Sequence, residues 1–259
     1  MKICPVLALI IVFALGACLP IQPELPMTEV PADRLLQSLE KRRQTFTGLK
    51  AVASVQTVKK SRKRTLDSVG IVLATRDRIR IEAYGPMGQS LFVLVSDGRE
   101  LLVRPPGREK AVKPGMDALE KLIGLNIEVQ ELVSVLSGNV PSVASSADVK
   151  AFCAQDGDCV LEIHEGDLER RVHILNPALE DDRGPRITSH DLYRTGRIVF
   201  RAHFEHLEEI SHYLMPQKIT IEAPDKKIVI TVAYGDVEVN VPVSDEVFTL
   251  SDRETTGQP

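Results

Sequence analysis

The sequence predicts a mainly β protein of the α+β type: one strongly curved antiparallel sheet or open barrel of about eleven strands, with helices covering one mouth or face. Three observations lead there. Segments of alternating apolar and polar residues recur along most of the chain, separated by turns built on Gly, Pro and Asp. A few stretches instead carry the period of an amphipathic helix, and such helices need an apolar surface to lie on. The 259 residues are 43 % hydrophobic and 26 % charged, enough for a sizeable core without metal or disulfide support.

The first helix is read from Pro31, a residue suited to the first helical position, and Asp33 favours its first turn. Leu35, Leu36 and Leu39 form its apolar stripe, and Lys41, Arg42 and Arg43 favour its last turn before Gly48. Strands follow at LKAVASVQTV and LDSVGIVLAT, separated by the basic stretch KKSRKR. RIRIEAYG alternates strictly, with Ile79, Ile81 and Ala83 on one face, and Asp97-Gly98 joins SLFVLV to ELLVRP in a hairpin. Two helices interrupt this meander. One is short, in MDALEKLIG; the other, NIEVQELVSVLSGNVP, has Asn126 as N-cap, a stripe through Leu132, Val135 and Leu136, and a stop at Gly138. Strands resume at CVLEIHE, LERRVHIL, RITSHDLY, RIVFRAHFEHL, QKITIEA, KKIVITVAYG and VEVNVPV. ALEDDRGPR reads as a surface loop, and residues 251–259 as a disordered tail.

The N-terminus sets the compartment. MKICPVLALIIVFALGACLP has Lys2, an apolar run from Ile3 to Ala14 and small residues before Cys18, which is the layout of a signal peptide over residues 1–17. That run is too short for a comfortable transmembrane helix. LGAC, Leu15 to Cys18, resembles the lipobox of bacterial lipoproteins, which implies cleavage before Cys18 and a covalent lipid on it, with no other cofactor. The alternative is an ordinary signal or short anchor helix that contains a cysteine. Leu19, where a retention signal would place Asp, points to the periplasmic face of the outer membrane. Residues 18–30 are proline-punctuated and aperiodic, a tether that lets a domain over residues 31–250 stand off the membrane. Cys153 and Cys159 flank AQDGD. If Gln155, Asp156 and Gly157 form a three-residue loop with the glycine left-handed, the two face each other, and an oxidising periplasm then favours a disulfide over two free thiols.

Several function classes are not expected. The formal charge is −4 and no zinc-finger, RNA-recognition or zipper pattern occurs, which argues against nucleic acid. There is no Gly-x-Ser-x-Gly elbow and no phosphate-binding loop, and HEGDL, beginning at His164, has Leu168 where a zinc protease needs its second histidine. His203 and His206, with His212 nearby, fall on opposite faces of a strand, so neither a metal site nor an enzyme is expected. The basic run Lys59, Lys60, Arg62, Lys63 and Arg64 has two readings: an attractor of anionic head groups or an acidic partner, or a solvated turn kept off other sheets by repulsion. With no tryptophan and 4 % aromatic residues, any pocket is lined mainly by aliphatic side chains.

The turn YGPMGQSLF puts Met87 between a Gly-Pro pair and another glycine, where Asn, Asp or Ser is usual. On the residues alone Met87 either plugs the sheet or is exposed. GPMGQSLF after an alternating strand, KLIGLNIEVQELVSVLSGNVP, and the PQKITIEAPDKKIVITV hairpin, in that order and behind the lipobox, resemble the LolB family of outer-membrane lipoprotein receptors and their LolB-like relatives. The resemblance runs from Pro31 to about Leu250. It implies an unclosed antiparallel β-barrel with helices covering one face and an apolar cavity. That cavity accepts the acyl chains of lipoproteins delivered by a LolA-like periplasmic carrier. It also implies that Met87, shaped by Tyr84, Gly85, Pro86 and Gly88, is the membrane-facing tip that helps insert the cargo. Alternation then nominates Ile79, Ile81, Leu91, Val93, Ile219, Ile221, Ile228, Ile230 and Val232 as cavity-lining. The expected state is a monomer held to the membrane by its lipid. The rival reading is a structural or assembly lipoprotein using the same fold to dock protein in an envelope or export complex, and a weaker one is a binder of free lipid or glycolipid. The chain lacks the family's tryptophans and has Met87 where its best-known members have leucine.

Overall fold

Alternation is realised as one antiparallel sheet in the computed structural model, which describes residues 26–75, 77–104, 118–175 and 184–249. In chain order the elements are β1 (Thr28–Val30), α1 (Asp33–Thr45), β2 (Gly48–Lys59), β3 (Arg62–Ala74), β4 (Arg78–Tyr84), β5 (Ser90–Asp97), β6 (Leu101–Arg104), α2 (Ala118–Ile123) and α3 (Val129–Leu136). They continue with β7 (Asp148–Cys153), β8 (Cys159–Glu165), β9 (Leu168–Leu175), β10 (Arg186–Arg194), β11 (Arg197–Ile210), β12 (Tyr213–Ala223) and β13 (Ile228–Val239). Among the described residues the sheet has thirteen strands in the order β1-β7-β8-β9-β10-β11-β12-β13-β2-β3-β4-β5-β6. Its edges, β1 and β6, do not pair, so the barrel is unclosed. Residues 1–25 and 250–259, which hold Cys18 and the expected tail, lie outside the described residues.

The sheet departs from the expected strands for local reasons, and Asp148–Cys153 adds β7 ahead of CVLEIHE, where strands are expected to resume. Thr28–Val30, assigned to the tether, instead pairs with β7 as an edge strand. KKIVITVAYG and VEVNVPV run on as the single strand β13, with an irregularity between Tyr234 and Val237. The basic stretch is not a linker: Lys59 pairs with Arg62, and only Lys60 and Ser61 turn, both left-handed with φ of 47° and 66°. Two successive positive φ values are the signature of a tight two-residue hairpin.

Helices pack on one face of the curve. Helix α1 starts at Asp33, two residues after the proline, and buries Leu35, Leu39 and Arg42. Glu128, not Asn126, occupies the N-cap position of α3, with an extended backbone and no side-chain capping hydrogen bond. Gly138 ends that helix at φ 66° and the Asn139 N–H donates to the Ser134 carbonyl at 2.8 Å, a left-handed C-terminal stop. Helix α3 buries polar Glu131 and Ser134 along with Leu132, Val133, Val135 and Leu136. These aliphatics join those of α1 and of the concave face in one contiguous core. Each large aliphatic side chain so buried contributes about 1.5–3 kcal/mol. On the outer face a smaller cluster of Ala74, Val95 and Phe248 is closed by a single turn of 3-10 helix, Asp245–Phe248.

Candidate functional site

Strand register sorts the inner face residue by residue. Ile79 lies opposite Leu73, and Ile81 opposite both Ile71 and Leu94. Ile219 lies opposite Val232, Ile221 opposite Ile230, and Ala223 opposite Ile228. These residues share one face and one apolar cluster. Leu91 and Val93, expected beside them, do not. Strand β5 turns Phe92 and Leu94 inward, leaves Leu91 37 % exposed, and pairs Val93 with Glu82 on the outer face. The cause is physical: Leu91 to Val95 are all apolar because Val95 is buried from outside, so no alternation marks the inner side. A register shift between Ala83 and Tyr84 also defeats counting from the turn.

Helices fill this face. Gly124, just after α2, sits so close to Ile228 that a Cβ there would collide with its side chain. A cleft of about 200 Å³ opens between α1 and α3, lined by Glu40, Arg43, Phe46, Val133, Ser134 and Ser137 among others. Its mixed polar lining does not suit an acyl chain. The described aliphatic side chains of this face are buried together with those of the helices in one contiguous cluster.

Polar ties hold α1 and α3 in place. The Arg42 guanidinium, 1 % exposed, donates to the carbonyl oxygens of Gly138 (3.0 Å) and Leu214 (2.6 Å) and lies 4.3 Å above the Tyr213 ring. The Tyr213 hydroxyl donates to the Ser137 carbonyl at 2.8 Å and that of Tyr234 to Leu136 at 2.7 Å. Glu131 on α3 accepts from Arg170 of β9 at 3.2 Å, and Arg170 also pairs with Glu165. His190 Nε2 stands 3.3 Å from Glu131. Burial, with Arg170 nearby, pushes the His190 imidazole down to about 3, against Asp191, so it is neutral. Burial pushes the Glu131 carboxyl up, opposed by Arg170. Helix α2 is tied by the exposed pair Lys226–Glu120, 2.6 Å.

The β4–β5 turn projects from the end of the sheet that also carries the β2–β3 and β12–β13 turns. The Gly88 N–H donates to the Gly85 carbonyl at 2.9 Å, with Pro86 and Met87 between them and Gly88 at φ 77°. Proline and glycine thus occupy the positions a type I turn with a left-handed closing residue favours. Gln89 accepts from the Met87 N–H at 3.1 Å. Met87 is 89 % exposed, so it does not plug the sheet. Tyr84 covers Gly70 from the outer side. At the opposite end Cys153 and Cys159 face each other across the β7–β8 turn and are joined by a disulfide, Cα–Cα 4.1 Å. Gly157 there is left-handed at φ 93°.

No protein-family model and no curated protein matches the sequence. Among solved structures the chain is similar to a LolA superfamily protein from Nitrosomonas europaea, with 13 % identity over 85 % of this chain and 98 % of that one, TM-score 0.59. It is also similar to a Vibrio parahaemolyticus domain named for outer-membrane lipoprotein sorting: 9 % identity, 84 % and 97 % covered, TM-score 0.61. A third is a DUF1329 family protein from Desulfovibrio piger, at 10 % identity, 85 % and 97 % covered, TM-score 0.55. The fold is the LolA-like open barrel.

Within that LolA-like frame, sequence reasoning missed the polar ties. Arg42 reads in sequence as one of three basic residues in a helical last turn, and nothing marks it as the buried one. Glu131 reads as an early-turn acid, whereas α3 is enclosed so fully that its polar face is buried too. Among the described residues no cluster of metal-ligating side chains occurs, and no helix is long and apolar enough to cross a membrane.

Proposed function

We propose that this protein is an envelope lipoprotein, lipidated at Cys18, that accepts the acyl chains of lipoproteins between the inner face of its sheet and the helices over it. It then releases them to the membrane that the Met87 turn faces. The observation that carries this reading is the aliphatic inner face running through Ile219, Ile221, Ile230, Val232, Ile81 and Leu94. Each methylene buried there contributes about 0.8 kcal/mol. Cargo entry requires the covering helices to move. Helix α2 is the one to yield, because an exposed ion pair such as Lys226–Glu120 contributes little. The finer assignment, a receptor of the LolB kind on the periplasmic face of the outer membrane, monomeric and fed by a LolA-like carrier, is supported by Leu19 and by exposed Met87. A gradient from looser to tighter partner supplies direction without ATP.

The test mixes the chain from residue 18, carrying Cys18→Ala, with a periplasmic carrier loaded with a radiolabelled acylated lipoprotein. Label moves to the protein, still moves to Met87→Glu, and fails to pass from that variant to liposomes. No movement to the unsubstituted Met87 form overturns the receptor reading. One observation favours a second reading, the protein-docking module: the inner-face aliphatics are already buried against the covering helices in one contiguous core. Under it, label stays on the carrier and Met87→Glu loses a protein partner.

A further inference from the structure

Exposed apolar and unpaired basic side chains gather at one corner of the sheet. Of the large hydrophobic residues left exposed among the described residues, Leu66 (41 %), Tyr84 (38 %), Met87 (89 %) and Leu91 (37 %) lie on β3 to β5 around the Met87 turn. The β2–β3 hairpin projects beside them, because β3 pairs with β4 only from Val69 to Ala74 and the stretch Arg62–Ser68 extends past it. Its tip carries Lys59, Lys60, Arg62, Lys63 and Arg64, all exposed and, among the described residues, without an ion pair. The Lys60 N–H donates to the Lys227 carbonyl at 3.2 Å, which adds Lys227 of the β12–β13 turn to the same group.

Backbone geometry makes these cations unexpected as mere spacers. Lys60 (φ 47°) and Lys227 (φ 53°) are left-handed, in positions that Gly, Asn or Asp fill most readily. The chain overall is net negative, −4, so this corner is a local reversal of sign. Basic side chains flanking a few exposed apolar ones match the interface of a bilayer: cations meet phosphate, and apolar side chains enter the acyl boundary. An acidic protein would satisfy the charges and leave Met87 without a complement.

We infer that the β2–β3 hairpin, with Lys227, is an electrostatic docking site for anionic phospholipid, which sets the Met87 turn against a negatively charged leaflet. This rests on the reading that Met87 faces a membrane, and deepens it by naming the lipid class. The test measures co-sedimentation of the chain from residue 18, carrying Cys18→Ala, with vesicles of phosphatidylcholine alone or mixed with phosphatidylglycerol. Binding to the anionic vesicles is at least about tenfold stronger at low salt and declines as salt rises. The triple variant Lys60→Glu, Lys63→Glu and Arg64→Glu loses this preference, keeps its melting temperature and still takes up acylated cargo. Equal binding to both vesicles, binding to neither, or an unchanged preference in the triple variant overturns the inference; binding to neither points to an acidic protein instead. Should the variant misfold, salt titration of the protein with its hairpin unsubstituted decides alone: anionic-vesicle binding that does not weaken with salt overturns the inference. Failed acyl uptake with intact vesicle preference refutes the cargo reading and leaves this one standing.

Discussion

Arg42 shows how one side chain ties three elements. Its guanidinium satisfies carbonyls at the end of α3 and at the start of β12 while its own helix packs on the sheet. Truncation leaves both carbonyls buried without a donor, so Arg42→Ala lowers stability by about 2 kcal/mol or more, read as a shift in urea midpoint. His190 makes stability depend on pH. The fold keeps it neutral with a pKa of about 3, whereas the unfolded chain titrates near the ordinary 6.5. Below pH 6.5 the unfolded chain takes up a proton that the fold refuses, so stability falls toward pH 3 by about 1.4 kcal/mol per pH unit. Glu131 acts with the opposite sign: its raised pKa means that the fold holds a proton the unfolded chain has already lost, and that contribution disappears as pH rises. In a Glu131→Gln background, adding His190→Phe makes the acid slope shallower, and the remainder belongs to His173, which burial also pushes down, and to the lowered carboxylates Glu82, Asp97 and Glu205. An unchanged slope in equilibrium unfolding contradicts this assignment.

Elements differ in how far sequence specifies them. Strand β4 is legible because Ile79, Ile81 and Ala83 alternate with charged neighbours, and the β7–β8 turn because glycine sits where a three-residue loop needs positive φ. Strand β5 hides its faces because both are covered, one by the core and one by Phe248. The basic hairpin is hidden for a different reason: polar, charged residues carry no face preference, and only pairing with β13 and across the turn makes Lys59 part of a strand. The disulfide hairpin also stabilises the β1 edge, since Thr28 pairs with Cys153. Closing so short a loop contributes about 2 kcal/mol through the unfolded chain. The double variant Cys153→Ser and Cys159→Ser loses about that much in denaturant unfolding, and its β1 and β7 amides exchange faster. Equal exchange in both proteins shows that the edge is held by other means.

At the scale of the molecule, the unclosed sheet is the consequence that matters. A closed barrel fixes its interior volume, whereas the edges β1 and β6 do not pair; under the proposed function, a filled interior and an acyl-binding one are two states of one fold. The open-sheet architecture is readable from recurrent alternation, but the occupancy of the interior is not, since aliphatic residues lining a cavity and filling a core obey the same pattern. The central claim is that acyl chains enter between sheet and helices, and photo-crosslinking tests it most directly. A lipopeptide bearing a photoreactive acyl terminus is mixed with the chain from residue 18 carrying Cys18→Ala, irradiated, and the adducts mapped. Adducts at inner-face positions such as Ile219, Ile221, Ile230 and Ile81, competed away by unlabelled lipopeptide, are the predicted result. Adducts confined to Leu91, Val93 and the outer face, or none at all, contradict the account and leave the fold as a docking module.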